Sequence, residues 1–340
     1  GWLVQIENEL RPLLPMVYYH VWDNYPYPLF NKSFYNSLDS IATISKLTSD
    51  IVRTVSPNVQ ENYLPHAVPL DIFKILPNEV KTKFKADNFK WAGDKFVFFW
   101  NNRNANRKRS GSLIWWFKSF LDKVGHDKAV LLMHTDAKDE NGQELNVIIR
   151  DLGLDGKQSV MLSQAKMPSE HLALMYNAAD CTINISNAEG HGLSVTESLA
   201  CGTPFITTLT GGMQDQIMDI EDMSYSYVQA RENNSKMVEK VKCGIGIKPA
   251  TSAIIGSQQT PYIREDCIAE KDFVEALEMM MNFSKQERKE IGLAGREHIE
   301  KNYSIKQYAK NWDELFSKVH EECGSWATRK NYKTFEMRTY

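Results

Sequence analysis

The fold is decided by the stretch from Cys181 to Ile217, which reads CTINISNAEGHGLSVTESLACGTPFITTLTGGMQDQI. Its opening run, CTINIS, predicts a strand in a buried sheet. NAEGHG then predicts the loop at the carboxyl end of that strand, and LSVTESLA predicts the helix that follows. In open α/β sheets this edge is where ligands bind, so the stretch predicts a ligand site as well as a fold.

Two glycines and two glutamates suggest what this site binds. Gly190 and Gly192 let the backbone approach a ligand closely, and the start of the next helix presents unpaired N–H groups that suit a diphosphate. Glu189 lies just before the helix and Glu197 lies within it. The two carboxylates are therefore placed to hold hydroxyl groups at opposite ends of one ligand.

The alternation of strands and helices extends on both sides of this stretch. Apolar runs at 95–101, 128–134 and 159–163 predict strands, and helical patterns separate them, including SEHLALMYNAAD with a predicted cap at Ser169. Three more helical patterns lie between residues 270 and 322. Apolar strands that alternate with helices are typical of a parallel sheet covered on both faces.

The first part of the chain predicts a smaller unit of the same kind. MVYYHVW, SIATIS and NYLPHAV are short apolar runs, two of them rich in β-branched or aromatic residues, and TSDIVRTV has helical spacing after a cap at Thr48 or Ser49. The region therefore predicts a strand, a helix and a strand. The proline-rich segment PHAVPLDIFKILP predicts a linker. We therefore predict an α/β fold with a partial first domain at residues 1–75, a second domain at 76–305, and a crossover helix and tail at 306–340.

Composition excludes several classes of protein. The 340 residues carry a net charge of −3 and are 42% hydrophobic, which favours a globular protein and gives no basis for binding nucleic acid. No apolar run approaches the roughly 20 residues that span a bilayer. The five cysteines lack CxxC spacing, so a reducing cytoplasm is the simplest setting. Because the chain begins at Gly1, we expect it to be truncated at its N-terminus.

The order of several motifs points to a known family. E-x7-E is followed by S-L-A-C-G-T-P and TGGMQDQI, and it is preceded by WNNRNANRKRS, in which Arg103 and Lys108 lie five apart. PHAVPLDIF and the run LMYNAADCTINIS also agree. Together they resemble the donor-binding signature of retaining glycosyltransferases with two facing Rossmann-like domains, the GT-B fold of family GT4 (glycosyltransferase group 1). The resemblance covers about residues 15 to 315.

The resemblance implies a role for each site residue. Glu197 would bind the nucleotide ribose and Glu189 the donor sugar, while Arg103 and Lys108 would neutralise the departing nucleoside diphosphate, where fixed cations are worth most. His20, with Asp23 nearby, would hydrogen bond the donor sugar or the reacting oxygens. The backbone of the glycine loops and the helix start would hold the donor phosphates, through Gly190, Gly192, Leu193, Ser194 and Gly212.

Three residues depart from the usual family pattern. Asn102 and Arg109 stand where the family usually has glycine, and His191 stands where an aromatic residue, often Phe, is common. These departures concern the donor sugar more than the phosphates. We also expect about 100 residues of the acceptor-side domain to precede Gly1, judged against the usual size of a domain.

The predicted function is transfer of a hexosyl-type sugar from a UDP-, GDP- or ADP-linked donor to a glycan, lipid or small-molecule acceptor, with retention of configuration. Neither a cofactor nor a metal is expected, since two basic side chains are supplied and D-x-D carboxylates are lacking. Two alternatives stay open: a sugar-nucleotide epimerase of the same fold, and a nucleotide-sugar-binding module without activity. Taken singly, the glutamates could be solvated surface groups, Arg103 and Lys108 an ordinary basic loop, and His20 a core histidine.

Overall fold

A computed structural model describes residues 6–156, 159–218 and 236–332. The basic residues Lys333 and Arg338 of the predicted tail lie outside the described residues. The helices are α1 (Glu7–Leu10), α2 (Lys32–Asn36), α3 (Lys46–Val55), α4 (Asn78–Asn88), α5 (Ser110–Val124), α6 (Leu145–Asp151), α7 (Ser169–Ala178), α8 (Leu193–Ala200), α9 (Met213–Ile217), α10 (Glu270–Asn282), α11 (Lys285–Asn302) and α12 (Ile305–Cys323).

The described strands form three sheets. They are β1 (Val17–His20), β2 (Ser40–Thr43), β3 (Gln60–Tyr63), β4 (Phe96–Asn101), β5 (Ala129–His134), β6 (Val160–Ser163), β7 (Cys181–Asn184), β8 (Phe205–Thr208), β9 (Val238–Val241), β10 (Gly244–Ile247), β11 (Thr251–Ile255) and β12 (Ile263–Cys267). The first sheet has the order β1-β2-β3, the second has the order β6-β5-β4-β7-β8-β10-β9, and β11 and β12 pair as a hairpin.

The first sheet is parallel throughout and is covered by α3. Val17 pairs with Ser40, and Ser40 pairs with Gln60. The predicted cap of α3 is wrong: the helix begins at Lys46, and the side chain of Ser45 accepts a hydrogen bond from the Thr48 backbone N–H. Ser45 satisfies this donor because it keeps an extended backbone, as N-cap residues do.

The second sheet confirms the predicted parallel architecture at its centre. β4, β5, β6, β7, β8 and β10 run parallel, and only the edge strand β9 is antiparallel among the described strands. The predicted cap at Ser169 is wrong, since Ser169 is the first residue of α7 and Pro168 holds the cap position without a side-chain hydrogen bond. Proline is favoured at helix starts because its φ is already helical.

Side chains alternate between the two faces of β4. Phe98 and Trp100 pack in one core with α5 and α10, whereas Val97 and Phe99 pack in another with α7 and α8. All four are fully buried. A strand buried on both faces explains why the sequence run at 95–101 is apolar without alternation.

The last long helix packs on the first sheet rather than on the second. Leu315, Val319 and Cys323 of α12 share a core with Ala42 and Leu64. Just beyond this helix, the Arg329 Nη2 atom lies 2.7 Å from the Asp39 Oδ1 atom, and both side chains are buried. The chain therefore returns to its first unit, although the predicted domain boundaries stay a prediction.

Candidate functional site

A cavity of about 660 Å³ lies at the carboxyl ends of β4 and β7, between the two larger sheets. Segments from both units and from the β11–β12 hairpin line it. The lining residues are Val21, Asp23, Asn24, Ile44, His66, Asn101, Asn102, Arg107, Lys108, Ala188, Glu189, Gly190, His191, Gly192, Leu193, Ser194, Glu197, Ile263 and Glu265. The cavity therefore brings Lys108 together with six other predicted site residues, which are Glu189, Gly190, Gly192, Leu193, Ser194 and Glu197.

Close packing of two glycine loops shapes the floor of this cavity. The Gly212 N–H donates to the Glu189 carbonyl at 2.9 Å. A Cβ atom added at Gly212 would lie 2.0 Å from the Gly190 carbonyl oxygen, so a larger residue would push the loops apart. Gly212 is not among the residues that line the cavity, and it supports the 189–192 loop through this hydrogen bond. Its predicted contact with donor phosphate stays a prediction.

A group of opposite charges lies at the centre of the cavity. The Lys108 ammonium contacts the Glu189 carboxylate directly, and both side chains are only 9% exposed. The Arg107 Nη1 atom donates to the Glu189 Oε2 atom and to the Ala188 carbonyl, each at 2.8 Å. Burial and the charge of Arg107 lower the pKa of Lys108, while the contact with Glu189 favours the charged ammonium.

Arg103 lies apart from this charge group. Its guanidinium makes two hydrogen bonds to Asp139, at 2.6 and 2.9 Å, and its side chain is 61% exposed. Arg103 lines a second cavity of about 240 Å³, which shares Asn101 and Asn102 with the first. Sequence reasoning missed Arg107, although it precedes Lys108 in the basic run RNANRKR.

Glu197 lines the larger cavity and is linked through Tyr176 to Asn101, which lines both cavities. The Tyr176 hydroxyl donates to the Glu197 Oε2 atom at 2.8 Å, and Asn101 donates to that hydroxyl at 2.8 Å. Burial raises the pKa of Glu197 to about 7, and the Tyr176 hydrogen bond opposes this rise. Because burial disfavours the ionised carboxylate, further hydrogen bonds from the hydroxyl groups of a ligand would stabilise it.

The start of α8 is open toward the cavity. Leu193, the first residue of the helix, is 52% exposed, and Gly192 before it has a φ of +82°, which favours glycine. The Ser194 side chain is buried, and its Oγ atom has no hydrogen-bond partner among the described residues. The first N–H groups of this helix are thus presented at the cavity without a side-chain cap.

The first unit contributes Asp23 and Asn24 to the facing wall. Burial raises the pKa of Asp23 to about 6, against the opposing charges of Arg107 and Lys108. Asn24 donates to the Arg264 carbonyl on the hairpin. An acidic side chain therefore faces the charge group from the opposite side of the cavity.

His20 lies behind this wall rather than on it. It ends β1, is buried, and its Nε2 atom lies 2.6 Å from the Tyr35 hydroxyl. Burial lowers its pKa to about 4. Among the residues that line the cavity, the histidines are His66 and His191. A catalytic role for His20 stays a prediction.

The two sheets, the cleft between them and the helix start at its floor define a GT-B architecture. Solved structures share this fold: sucrose-phosphate synthase from Thermosynechococcus elongatus (TM-score 0.64, 18% identity, 86% of this chain and 62% of that one) and Anabaena HepE in complex with UDP-glucose (TM-score 0.64, 13% identity, 89% and 72%). At these identities the likeness shows the fold alone.

Sequence comparison gives the family. Residues 81–242 match the family described as glycosyl transferases group 1, so the chain contains a glycosyltransferase group 1 domain and the predicted resemblance is confirmed. A relative is the alpha-monoglucosyldiacylglycerol synthase of Streptococcus pneumoniae, 26% identical over 187 residues. That match covers 52% of this chain and 38% of the synthase, so the chain spans less than two fifths of this relative's length.

The described part of the chain offers neither a metal cluster nor a membrane-spanning helix. Within residues 6–156, 159–218 and 236–332, no three His, Cys, Asp or Glu side chains are grouped closely enough to hold a metal ion. None of the helices in these ranges combines the length and apolar character that crossing a bilayer requires.

Proposed function

We propose that this chain binds a nucleotide-diphosphate sugar in the cavity and transfers the sugar to an acceptor hydroxyl. The observation that carries the proposal is the grouping of Lys108, Arg107 and Glu189 at the open start of α8, with Glu197 in the same cavity. Cations beside free N–H groups suit a diphosphate, and carboxylates suit sugar hydroxyls. The group 1 domain and the HepE complex with UDP-glucose support the same class of ligand.

The cavities suggest an orientation for the donor. The sugar would lie in the larger cavity near Glu189, and the diphosphate would lie along Lys108 and the start of α8. The nucleoside would enter the second cavity beside Arg103, with its ribose at Glu197. The Asn101–Tyr176–Glu197 hydrogen-bond chain supports this placement, because it links Glu197 in the larger cavity to Asn101, which lines both cavities.

We propose that the sugar is a hexose transferred with retention, without a metal or cofactor, by a protein of the cytoplasm or of a membrane surface. When the sugar–phosphate bond breaks, negative charge develops on the leaving diphosphate, and Lys108 with an arginine is placed to stabilise it. Arg107 is held by Glu189 and Arg103 by Asp139, so either guanidinium would have to exchange a carboxylate partner for phosphate. The acceptor would enter past Asp23 as a glycan, lipid or small molecule.

Calorimetric titration of the chain with UDP, GDP and ADP tests the donor site. We expect saturable binding of one nucleotide that persists in EDTA and weakens about tenfold or more in Glu197→Ala and in Arg103→Ala, since each loses a charge-assisted contact. Arg150→Ala is the matched control, because Arg150 is an exposed arginine paired with its neighbour Asp151. Binding that requires a divalent metal would contradict metal independence, and binding of none of the three would contradict the donor site.

Incubation with the UDP-, GDP- or ADP-linked sugar and acceptor then tests the chemistry. Analysis of the anomeric configuration of the product by NMR distinguishes retention from inversion. Conversion of the donor sugar without an acceptor would instead favour an epimerase, and binding without turnover would favour a binding module.

A further inference from the structure

Two histidines meet inside the cavity, and neither belongs to the charge group. The ring centroids of His66 and His191 lie 5.4 Å apart, edge to face at 82°. His66 follows the first unit and His191 lies in the loop before α8, so this contact joins the two sides of the cavity. Both residues line the space beside Gly190 and Gly192.

The protein fixes the position of the His191 ring but gives its Nε2 atom no hydrogen bond among the described residues. The ring also packs edge-on against Tyr303, with centroids 5.5 Å apart, and Gln216 donates to the His191 carbonyl. His191 is only 5% exposed, yet its Nε2 atom has no hydrogen-bond partner within the described part of the chain. A half-turn about the Cβ–Cγ bond keeps the shape of the ring and exchanges its nitrogen and carbon edges, so either edge can be turned toward the cavity that His191 lines.

A buried imidazole whose nitrogen lacks a hydrogen bond destabilises the folded protein. The ring contacts of His191 could be made equally well by a side chain without nitrogen atoms. A buried polar atom without a partner costs about 1–3 kcal/mol, and such atoms in native structures call for an explanation. A phenyl ring would make the same edge contacts with His66 and Tyr303. A ligand polar group that arrives in the cavity explains the imidazole.

The neutral state of both rings indicates the kind of ligand group. Burial lowers the pKa of His191 to about 3, with the charge of His66 acting in the same direction, and burial also lowers the pKa of His66. The His66 Nδ1 atom lies 3.0 Å from the Tyr19 hydroxyl, which orients that ring. A neutral imidazole can both donate and accept a hydrogen bond, as a hydroxyl group does, whereas a phosphate is better matched by the cations at Lys108.

We propose that His191, supported by His66, is a specificity-determining residue that hydrogen bonds a hydroxyl of the sugar being transferred. The proposal rests on the proposed function, because it requires a nucleotide sugar in this cavity. It assigns the sugar end of the donor to the two histidines. The nucleotide end is left to Glu197 and the basic residues.

The test separates binding of the sugar from binding of the nucleotide. Dissociation constants for the nucleoside diphosphate and for its glucose, galactose and N-acetylglucosamine adducts are measured with the full chain and with His191→Phe. We expect the affinity for the diphosphate to stay within about twofold. The additional affinity that the preferred sugar confers should fall about five- to tenfold, as expected for one lost hydrogen bond.

Two further variants guard against misfolding and general effects. His66→Phe removes the second imidazole and should reduce the same sugar-dependent affinity by less than His191→Phe does. His171→Phe is the matched control, since His171 packs edge-on against Phe84, outside the residues that line the cavity. If His191→Phe fails to fold, the affinities of His66→Phe decide the matter in its place.

The outcomes distinguish the two proposals. An unchanged ratio of diphosphate to nucleotide-sugar affinity in both His66→Phe and His191→Phe would overturn the role of the histidines and leave the donor site intact. A loss of diphosphate affinity equal to the loss of nucleotide-sugar affinity would also overturn it. If the unaltered chain binds no nucleotide, the proposed function fails and this proposal fails with it.

Discussion

The two sides of the cavity are built in different ways. The donor wall, formed by residues 101–108 and 188–197, comes from loops at the ends of neighbouring parallel strands. The facing wall, formed by residues 21–24 and the β11–β12 hairpin, comes from two segments that are far apart in sequence and belong to different sheets. On the donor wall, charged groups hold one another in place at the sheet edge.

On the facing wall, hydrogen bonds and a ring pair join residues 24–30 to the hairpin. Asn24 donates to the Arg264 carbonyl, and the Tyr262 hydroxyl donates to the Tyr27 carbonyl at 3.3 Å. The rings of Phe30 and Tyr262 meet edge to face with centroids 4.9 Å apart. A rigid wall suits the positioning of a leaving group. The hairpin is also tied to the donor side, where the Asp266 N–H donates to the Asn187 carbonyl at 3.0 Å and Thr210 donates to the Asp266 Oδ2 atom at 2.7 Å. The contacts between the hairpin and residues 21–30 are therefore the ones that opening for ligand entry would break.

The largest effect is expected where the donor wall loses its buried charge. Lys108→Met removes the ammonium partner of the buried Glu189 carboxylate and leaves Arg107 as its remaining cationic partner. Breaking one side of a buried pair costs about 3–5 kcal/mol, and Arg107 keeps part of the pairing, so urea denaturation should show a loss toward the lower end of that range in the free energy of unfolding. Lys83→Met is the control, because Lys83 pairs with Asp87 in an exposed position, and the urea midpoint of this variant should not change.

A double variant checks that the lost stability comes from the broken Lys108–Glu189 ion pair. Lys108→Met combined with Glu189→Gln removes both charges, and we expect it to recover much of the stability lost by Lys108→Met alone. Equal destabilisation of the single and double variants would show that packing, and not charge, holds this part of the donor wall.

A second effect is expected in the pH dependence of stability. The pKa of Glu197 is about 7 in the folded chain and 4.5 ordinarily, so the folded state holds a proton more tightly. Stability should therefore be lost as pH rises from about 4.5 to 7, by at most about 3 kcal/mol. Glu197→Gln removes this loss, and its stability relative to the unaltered chain should increase by that amount between pH 4.5 and pH 8.

Chemical denaturation at the two pH values measures this difference. Glu79→Gln, on the exposed first turn of α4, should leave the pH profile unchanged. A Glu197→Gln profile parallel to that of the unaltered chain would show that the carboxyl group ionises without strain in the folded state.

The donor wall was largely predictable because its signals are local. A strand, a glycine loop and a helix start follow one another from Cys181 to Ala200, and their order determines where the loop lies. The orientation of side chains within the 102–109 loop was not predictable. A turn of 3-10 helix at Asn106–Lys108 and the left-handed backbone of Arg109 place Arg107 at Glu189 and leave Arg103 with Asp139.

The facing wall gave no local signal. Asn24 and Arg264 are 240 residues apart in sequence, and contacts of that separation leave no periodic pattern. The hairpin strand IREDC is charged rather than apolar, and in the second sheet the strand β10, which reads GIGI, consists half of glycine. The glycine content of β10 is explained by its packing against β8, because a Cβ at Gly244 would lie 1.9 Å from the Phe205 carbonyl oxygen.

The smallest effect is expected from a single bond across the facing wall. Asn24→Ala removes the hydrogen bond to the Arg264 carbonyl, and a bond of this kind contributes about 1 kcal/mol. The Tyr262 contacts and the hydrogen bonds of Asp266 to Asn187 and Thr210 remain, so the hairpin should stay in place while its side toward residue 24 opens more often. Hydrogen exchange of amides in β11 and β12 should become about fivefold faster, while exchange in β4 and β7 stays the same.

Asn146→Ala, on the exposed side of α6, is the control. If Asn24→Ala accelerates exchange equally in β4, the two walls open as one unit and the difference between them is not one of stability.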